Sequence, residues 1–223
     1  MFKKIITLLL FFFMTDIFFS VKNYSADNNT YMLNKKLKMI CCVEKEYVSG
    51  MYYVDVDSEY DTIKNLLDSG ADPNYQFTKD GKQHYIFNCL VEGNSVKTAK
   101  LFIEKGAKFD EPNSYGVTPL MEAAYYGWHR IADLLLSCGA DIDAKDNEGM
   151  DVFAHAFDRR PCFKKDFINT LLKYKNLSGD EAEKLVNILH RLDGDAIDMG
   201  IPTYKQSGTY ELIQSSLQRS RPK

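Results

Sequence analysis

The chain lacks the excess of basic residues that a nucleic-acid binder uses to neutralise phosphates. Against 28 lysines and arginines stand 31 acidic residues, the formal net charge is −3 and the pI lies near 5.8, which excludes a strong electrostatic footprint for DNA or RNA. Catalytic strings are missing as well. There is no G-x-S-x-G nucleophile elbow, G-x-G-x-x-G or phosphate loop, H-E-x-x-H helix or calcium loop in the sequence. Histidine is scarce, and His84, His129, His155 and His190 are too scattered to supply the three or four converging ligands of a metal site. No catalytic residue, metal ligand or cofactor is assigned.

Five cysteines, Cys41, Cys42, Cys89, Cys138 and Cys162, fit no zinc or redox spacing. The adjacent Cys41 and Cys42 direct their Cβ bonds apart and are poorly placed to bond each other. Cys89 falls on a helix face expected to be buried, where a thiol behaves as a small hydrophobe. One structural disulfide is compatible with this set, a disulfide framework is not indicated, and no pair is singled out. What remains is ordinary globular material, 45% hydrophobic and 26% charged over 223 residues, enough for one or two domains.

The N-terminus has the layout of a secretory leader. Lys3 and Lys4 precede an apolar run from Ile5 to Met14, and a second patch follows at Ile17, Phe18 and Phe19. A membrane-spanning helix needs ~20 continuous apolar residues, and Asp16 interrupts the run inside that length. Residues 1–26 are therefore expected to be a signal peptide, cleaved near Ser20 or after Ala26. An uncleaved anchor would be the chain's only membrane attachment. Removal of these residues leaves 25 basic and 30 acidic side chains, a net of −5.

An internal repeat organises the middle. Leu66-Leu67-Asp68-Ser69-Gly70-Ala71, Phe102-Ile103-Glu104-Lys105-Gly106-Ala107 and Leu135-Leu136-Ser137-Cys138-Gly139-Ala140 end three segments alike, with glycines 36 and 33 residues apart. A second series, Gly81, Gly116 and Gly149, is spaced by 35 and 33. Between Gly116 and Gly139 runs Thr118-Pro119-Leu120-Met121-Glu122-Ala123-Ala124-Tyr125-Tyr126-Gly127. This string at this period resembles the ankyrin repeat. Thr118 suits an N-cap and Pro119 the first helical turn. Ala123 and Ala124 let neighbouring helices approach, while Gly127 and Gly139 suit turns and helix ends. Ile131, Leu134 and Leu135 form an apolar stripe at helical spacing.

The copies on either side are poorer. Residues 79–110 replace the Thr-Pro-Leu start with Lys82-Gln83-His84-Tyr85, and residues 147–175 lack a terminal Gly-Ala and carry an insertion around Arg160-Pro161-Cys162. Irregular ends suit terminal repeats, which present a polar face to water. The fold class that the resemblance implies is all-α, an ankyrin solenoid of helix-turn-helix units with short β-hairpin loops and helical caps. On this reading residues 27–58 cap the N-terminus, 59–178 hold three to four repeats, and 179–223 form a helical cap and tail. Ser178 is the expected N-cap of the first of these helices, and a last helix is expected near Tyr210–Gln218. A Tyr52–Val56 strand is expected before the repeats. The acids of Asp141–Asn147 read as hairpin-loop residues, and Asp193, Asp195 and Asp198 as loop acids.

The resemblance implies a non-catalytic protein that binds another protein. It places Glu122, Tyr125 and Tyr126 on variable positions of a first helix lining the concave groove, with Trp128 opening the second helix. Tyrosine and tryptophan suit binding surfaces because they bury much area at low entropic cost. Hairpin-tip residues Tyr75, Phe77, Asn113, Tyr115, Asn147 and Glu148 form a second contact surface, and the three aromatics among them are expected to be exposed. The leader adds an exported setting, periplasmic, envelope or secreted, in a bacterium. A monomeric adaptor is the expected function. An inhibitor of immunity type, blocking a toxin or enzyme, is the alternative, ahead of an enzyme or ligand-binding module built from the terminal segments.

Overall fold

In the computed structural model, the structure describes residues 27–42, 47–48, 51–52, 56–79, 81–157, 165–198 and 208–219. The leader and Cys162 lie outside these residues. Element formation follows the sequence pattern most closely in the third repeat. There α5 (Pro119–Tyr126) starts at Thr118, whose hydroxyl accepts the Met121 N–H at 3.3 Å, while the Met121 Sδ accepts the Thr118 N–H at 3.5 Å. A thioether thus completes the reciprocal cap that a glutamate usually closes. Gly127 ends α5 in the left-handed region at φ 75°, a conformation a side chain would strain. Helix α6 (His129–Ser137) follows, burying Ile131, Ala132, Leu135 and Leu136.

The same unit recurs on both sides. On the N-terminal side the pair is α3 (Ile86–Glu92) and α4 (Val96–Glu104), entered through an antiparallel hairpin of β3 (Gln76–Lys79) and β4 (Lys82–Tyr85) with Gln76 opposite Tyr85. On the C-terminal side it is α7 (Val152–Phe157) and α8 (Lys165–Tyr174). First helices α3, α5 and α7 pack side by side, and second helices α4, α6 and α8 form a parallel layer begun by α2 (Tyr60–Asp68). One apolar core runs through the stack, with Phe87, Phe102, Leu120, Ile131, Leu135 and Phe167 almost fully enclosed.

The first repeat departs from the pattern. Its second helix, α2, follows a 3₁₀ turn at Val56–Glu59. Upstream, a short hairpin pairs β1 (Tyr47–Val48) with β2 (Met51–Tyr52), so the described part of the expected Tyr52–Val56 strand is the end of β2 and the start of the 3₁₀ turn. Before it, helix α1 spans residues 27–41 and buries Leu37 and Cys41. A disulfide joins Cys42 to Cys89 on α3, across 47 residues of chain and a Cα–Cα distance of 5.4 Å. The expectation that Cys89 packs as a free thiol is therefore corrected. Cys41 stays free, and burial pushes its thiol pKa up to about 12, so it is a poor nucleophile towards its bonded neighbour.

At the other end, α10 (Thr209–Arg219) packs on both α8 and α9 (Gly179–Asp198). Ser178 and Glu181 form a capping box, with the Glu181 N–H on the Ser178 hydroxyl at 3.2 Å and the Ser178 N–H on the Glu181 carboxylate at 2.8 Å. Asp193, Asp195 and Asp198 lie in the last turns of α9 rather than in a loop. The apolar spacing of Ala182, Leu185 and Leu189, all buried, carries the helix through Gly194.

Candidate functional site

The last turn of α5 gathers aromatic rings. Tyr125 meets Tyr126 edge to face at a centroid distance of 5.1 Å, and Tyr126 stacks on Trp128 at 6.1 Å with 17° between the planes. All three are half-buried, as is Glu122 one turn earlier on the same helix. The left-handed Gly127 makes this grouping possible. It reverses the chain within one residue, so that Trp128, the N-cap residue of α6, returns beside the end of α5. Trp128 also packs on the core, and its buried indole N–H finds no hydrogen-bond acceptor among the described residues. The patch therefore combines fixed apolar faces with polar ring atoms, the composition of a binding hot spot.

The hairpin tips have a different character. Asn113 Oδ1 accepts the N–H groups of Tyr115 and Val117 at 2.9 and 3.1 Å, so its side chain closes its own turn. Asn147 ties two tips together, its backbone N–H on the Tyr115 carbonyl at 2.9 Å and its side-chain amide on the Ser114 carbonyl at 3.2 Å. Gly116 is needed there, because a Cβ would meet Asn147 backbone and side-chain atoms at 2.7 Å. Tyr115 and Glu148 are left exposed, Tyr115 by 50% with the Lys82 ammonium 4.3 Å above its ring centre. Phe77 contradicts its expected exposure. It points inward from β3, only 8% exposed, stacked on His84 and covered by Lys38 at 4.2 Å. Tyr75 is half-buried against the core and is not an exposed tip either. The physical reason is the β3–β4 pairing, which alternates side chains and turns Phe77 to the protein side.

The structure therefore joins Tyr125, Tyr126 and Trp128 into one patch, brings Tyr115 and Asn147 together at neighbouring tips, and leaves Tyr75 and Phe77 in a separate hairpin.

Asp146 closes a hairpin turn as the Asp141–Asn147 loop reading expects, but its pairing with His155, like a second feature below, is not legible in the sequence. Asp146, 33 residues beyond Asn113, uses Oδ1 for the same turn, accepting the Glu148 and Met150 N–H groups at 2.9 Å each. Its Oδ2 lies 2.9 Å from His155 Nε2, and both side chains are buried. Burial alone would favour the neutral acid, but the Met150 N–H, His155 and the Glu148 N–H together hold the Asp146 carboxyl below its usual range. The repeated Asx position at one period was the available signal for the turn. His155 is buried in the core, and among the described residues no group of three or more histidines, cysteines or carboxylates could hold a metal.

The second is a polar cleft of about 840 Å³ on the other layer, lined by His129, Arg130, Asp133 and Lys173 from α6 and α8. Lys173 and the Tyr174 hydroxyl both bond the Asp133 carboxylate, at 2.8 and 2.9 Å, and hold its pKa down. The cleft's charges thus largely satisfy one another.

Comparison with known proteins agrees with this architecture. The family model described as ankyrin repeats, three copies, matches residues 51–146. An ankyrin repeat protein of Acanthamoeba polyphaga mimivirus is 27% identical over 164 residues, which is 71% of this chain and 91% of the viral protein. A homologue of transient receptor potential cation channel subfamily A member 1 from Caenorhabditis elegans is 34% identical over 92 residues, and an E3 ubiquitin-protein ligase of Arabidopsis thaliana 25% over 120. Those stretches are 41% and 53% of this chain but only 7% of each larger protein. This chain thus spans only a small part of the length of those two proteins.

Proposed function

We propose that this chain, an ankyrin-repeat solenoid whose residues 51–146 are three such repeats, is an exported adaptor that binds one protein partner without chemistry of its own. Ankyrin repeats are protein-interaction modules, and that much follows from the fold. The finer reading rests on one observation, the contiguous ring patch of Tyr125, Tyr126 and Trp128 at the end of α5. On the family's pattern this end of the first helix would line the groove, and a partner would bury the half-exposed tyrosine faces there. Glu122 on the same helix, with Tyr115 and Glu148 at the tips, would extend the contact and set its orientation. The net charge of −5 beyond the leader favours a basic or neutral partner.

Export is supported by two independent features. One is the leader, with Lys3 and Lys4 ahead of the Ile5–Met14 apolar run. The other is the Cys42–Cys89 disulfide, because such bonds persist in oxidising compartments and are rare in the cytosol. The test is capture of cross-linked partners from native cells with tagged full-length protein beside a Tyr125→Ala/Tyr126→Ala form of matching helicity. A protein of the envelope or exterior held by the native chain and lost by the variant supports the reading. The same proteins held by both forms, or a cytosolic partner, would refute it.

A further inference from the structure

Helix α1 has an outward face that the repeat architecture does not use. Leu37 and Cys41 point inward, the Asn34 Oδ1 accepts the Asp72 N–H at 2.7 Å, and the disulfide at Cys42 fixes the helix end to α3. The helix is thus a rigid part of the stack. On the opposite side, Asn28, Met32, Lys35 and Met39 recur at i, i+4, i+7 and i+11, flanked by Tyr31 and Lys36. Among the described residues the exposed large hydrophobics are five, and three of them are here, with Tyr31 at 55%, Met32 at 58% and Met39 at 68%.

Charge separates this end from the remainder of the molecule. Residues 27–42, which hold α1, carry a net +2 from Lys35, Lys36 and Lys38 against Asp27, and residues 43–223 a net −7. The 26 residues upstream, with their Ile5–Met14 apolar run, end where α1 begins. A residue spans at most about 3.6 Å of extended chain, so in an uncleaved form with that segment in a bilayer α1 would start at the bilayer surface, and in the cleaved form the face itself supplies the contact.

We propose that the outward face of α1 is a docking surface for an anionic phospholipid bilayer. Met32, Met39 and the Tyr31 ring enter the headgroup–acyl boundary, and Lys35 and Lys36 extend their ammonium groups to lipid phosphates. The acidic body is held away from the surface, leaving the tyrosine patch to its partner. A second copy fits this face less well, because a symmetric pairing would set Lys35 and Lys36 of the two copies close together. The proposal does not depend on which protein the groove takes. No described helix is long and apolar enough to cross a membrane, so this face would make a surface contact.

Fluorescence of the full chain tests it. The native protein has a single tryptophan, Trp128, which reports the groove side. Two variants in a Trp128→Phe background, Tyr31→Trp and Met39→Trp, report the face, after circular dichroism shows unchanged helicity. Each is mixed with brominated vesicles of phosphatidylcholine, with or without phosphatidylglycerol. The expected result is blue-shifted, quenched emission from positions 31 and 39 on the anionic vesicles only, with Trp128 unaffected. Lys35→Gln/Lys36→Gln should then raise the lipid needed for half-maximal quenching by roughly thirtyfold. Vesicle binding with positions 31 and 39 unquenched would mean that the upstream segment binds alone, and overturns the proposal. So would no binding, equal quenching on neutral vesicles, or a blue shift without vesicles, which would show the face covered by the chain itself or by a second copy.

Discussion

The third repeat and the N-terminal region reach the same stack by different means. In the third repeat the helix ends are fixed locally, with Thr118 capping α5 three residues on, Gly127 turning the chain, and Gly139 closing α6 at φ 95°. In the N-terminal region they are remote. Asp57 caps α4 from the preceding repeat, its carboxylate accepting the Thr98 N–H at 2.9 Å, the Thr98 hydroxyl at 2.6 Å and the Lys97 N–H at 3.3 Å. Asn34 serves Asp72 over 38 residues, and Cys42 is bonded to Cys89 over 47. Local devices need only the repeat string, whereas remote ones need the assembled fold. The N-terminal region should accordingly be the part whose loss is most cooperative with its single long-range ties.

That contrast is most severely strained by removing the disulfide. Closing a 47-residue loop is worth about 4 kcal/mol in the chain-entropy model. Cys42→Ser/Cys89→Ser should therefore lower stability by an amount approaching that, read from urea denaturation, with the loss of protected amides concentrated in α1 and α3. Equal loss across α5 and α6 would mean the two regions are not distinct. Asp146→Ala comes next, because it strips the Glu148 and Met150 N–H groups of their acceptor and leaves buried His155 without its carboxylate. About 2–3 kcal/mol is expected, against less than about 1 kcal/mol for Asn113→Ala at the equivalent, more open turn.

The caps separate the two regions on a smaller scale. Asp57→Ala removes three hydrogen bonds to another repeat and should cost about 2 kcal/mol, whereas Thr118→Ala removes one long bond and should cost about 1 kcal/mol. Thermal unfolding of the two variants decides the order. The smallest effect belongs to the C-terminal cap. Lys175, and then the Ser178 N–H, hold the Glu181 carboxyl down to about 2 in the folded chain, below its ordinary ~4.3. Its contribution is therefore present above the ordinary carboxylate range and is lost as pH falls from there towards 2. Glu181→Gln should flatten that limb of the stability–pH curve and leave neutral stability little changed, since the pair is partly exposed.

The same division explains what could be read from sequence. The solenoid was legible because the third repeat states its caps and turns within its own 33 residues, as Thr118-Pro119 and Gly139-Ala140 do, and the Gly-Ala ends recur before it. The Ser178 cap of α9 and the final helix were legible for the same local reason. The pairing of Cys42 with Cys89 was not, because no spacing rule connects two residues 47 positions apart that meet only in the assembled fold. Phe77 was misplaced because an exposed hairpin tip was expected where β3 and β4 pair for four residues, and the pleat turns it inwards. Asp193, Asp195 and Asp198 are helical rather than loop acids because the buried Ala182–Leu185–Leu189 stripe carries α9 through Gly194. For the candidate site, the helical position of Tyr125 and Tyr126 was legible, but their ring contacts and the stacking of Trp128 depend on the left-handed turn at Gly127.

The reading of that ring patch as a partner surface is tested most directly by replacing Tyr125 with a photo-cross-linking phenylalanine in the native cell. Ser137, exposed on α6 in the other helix layer, carries the same group as the control. A discrete adduct of one mass from position 125 and none from position 137 is the expected outcome. Adducts from position 137 alone, or from neither site while the protein is abundant and folded, would contradict it.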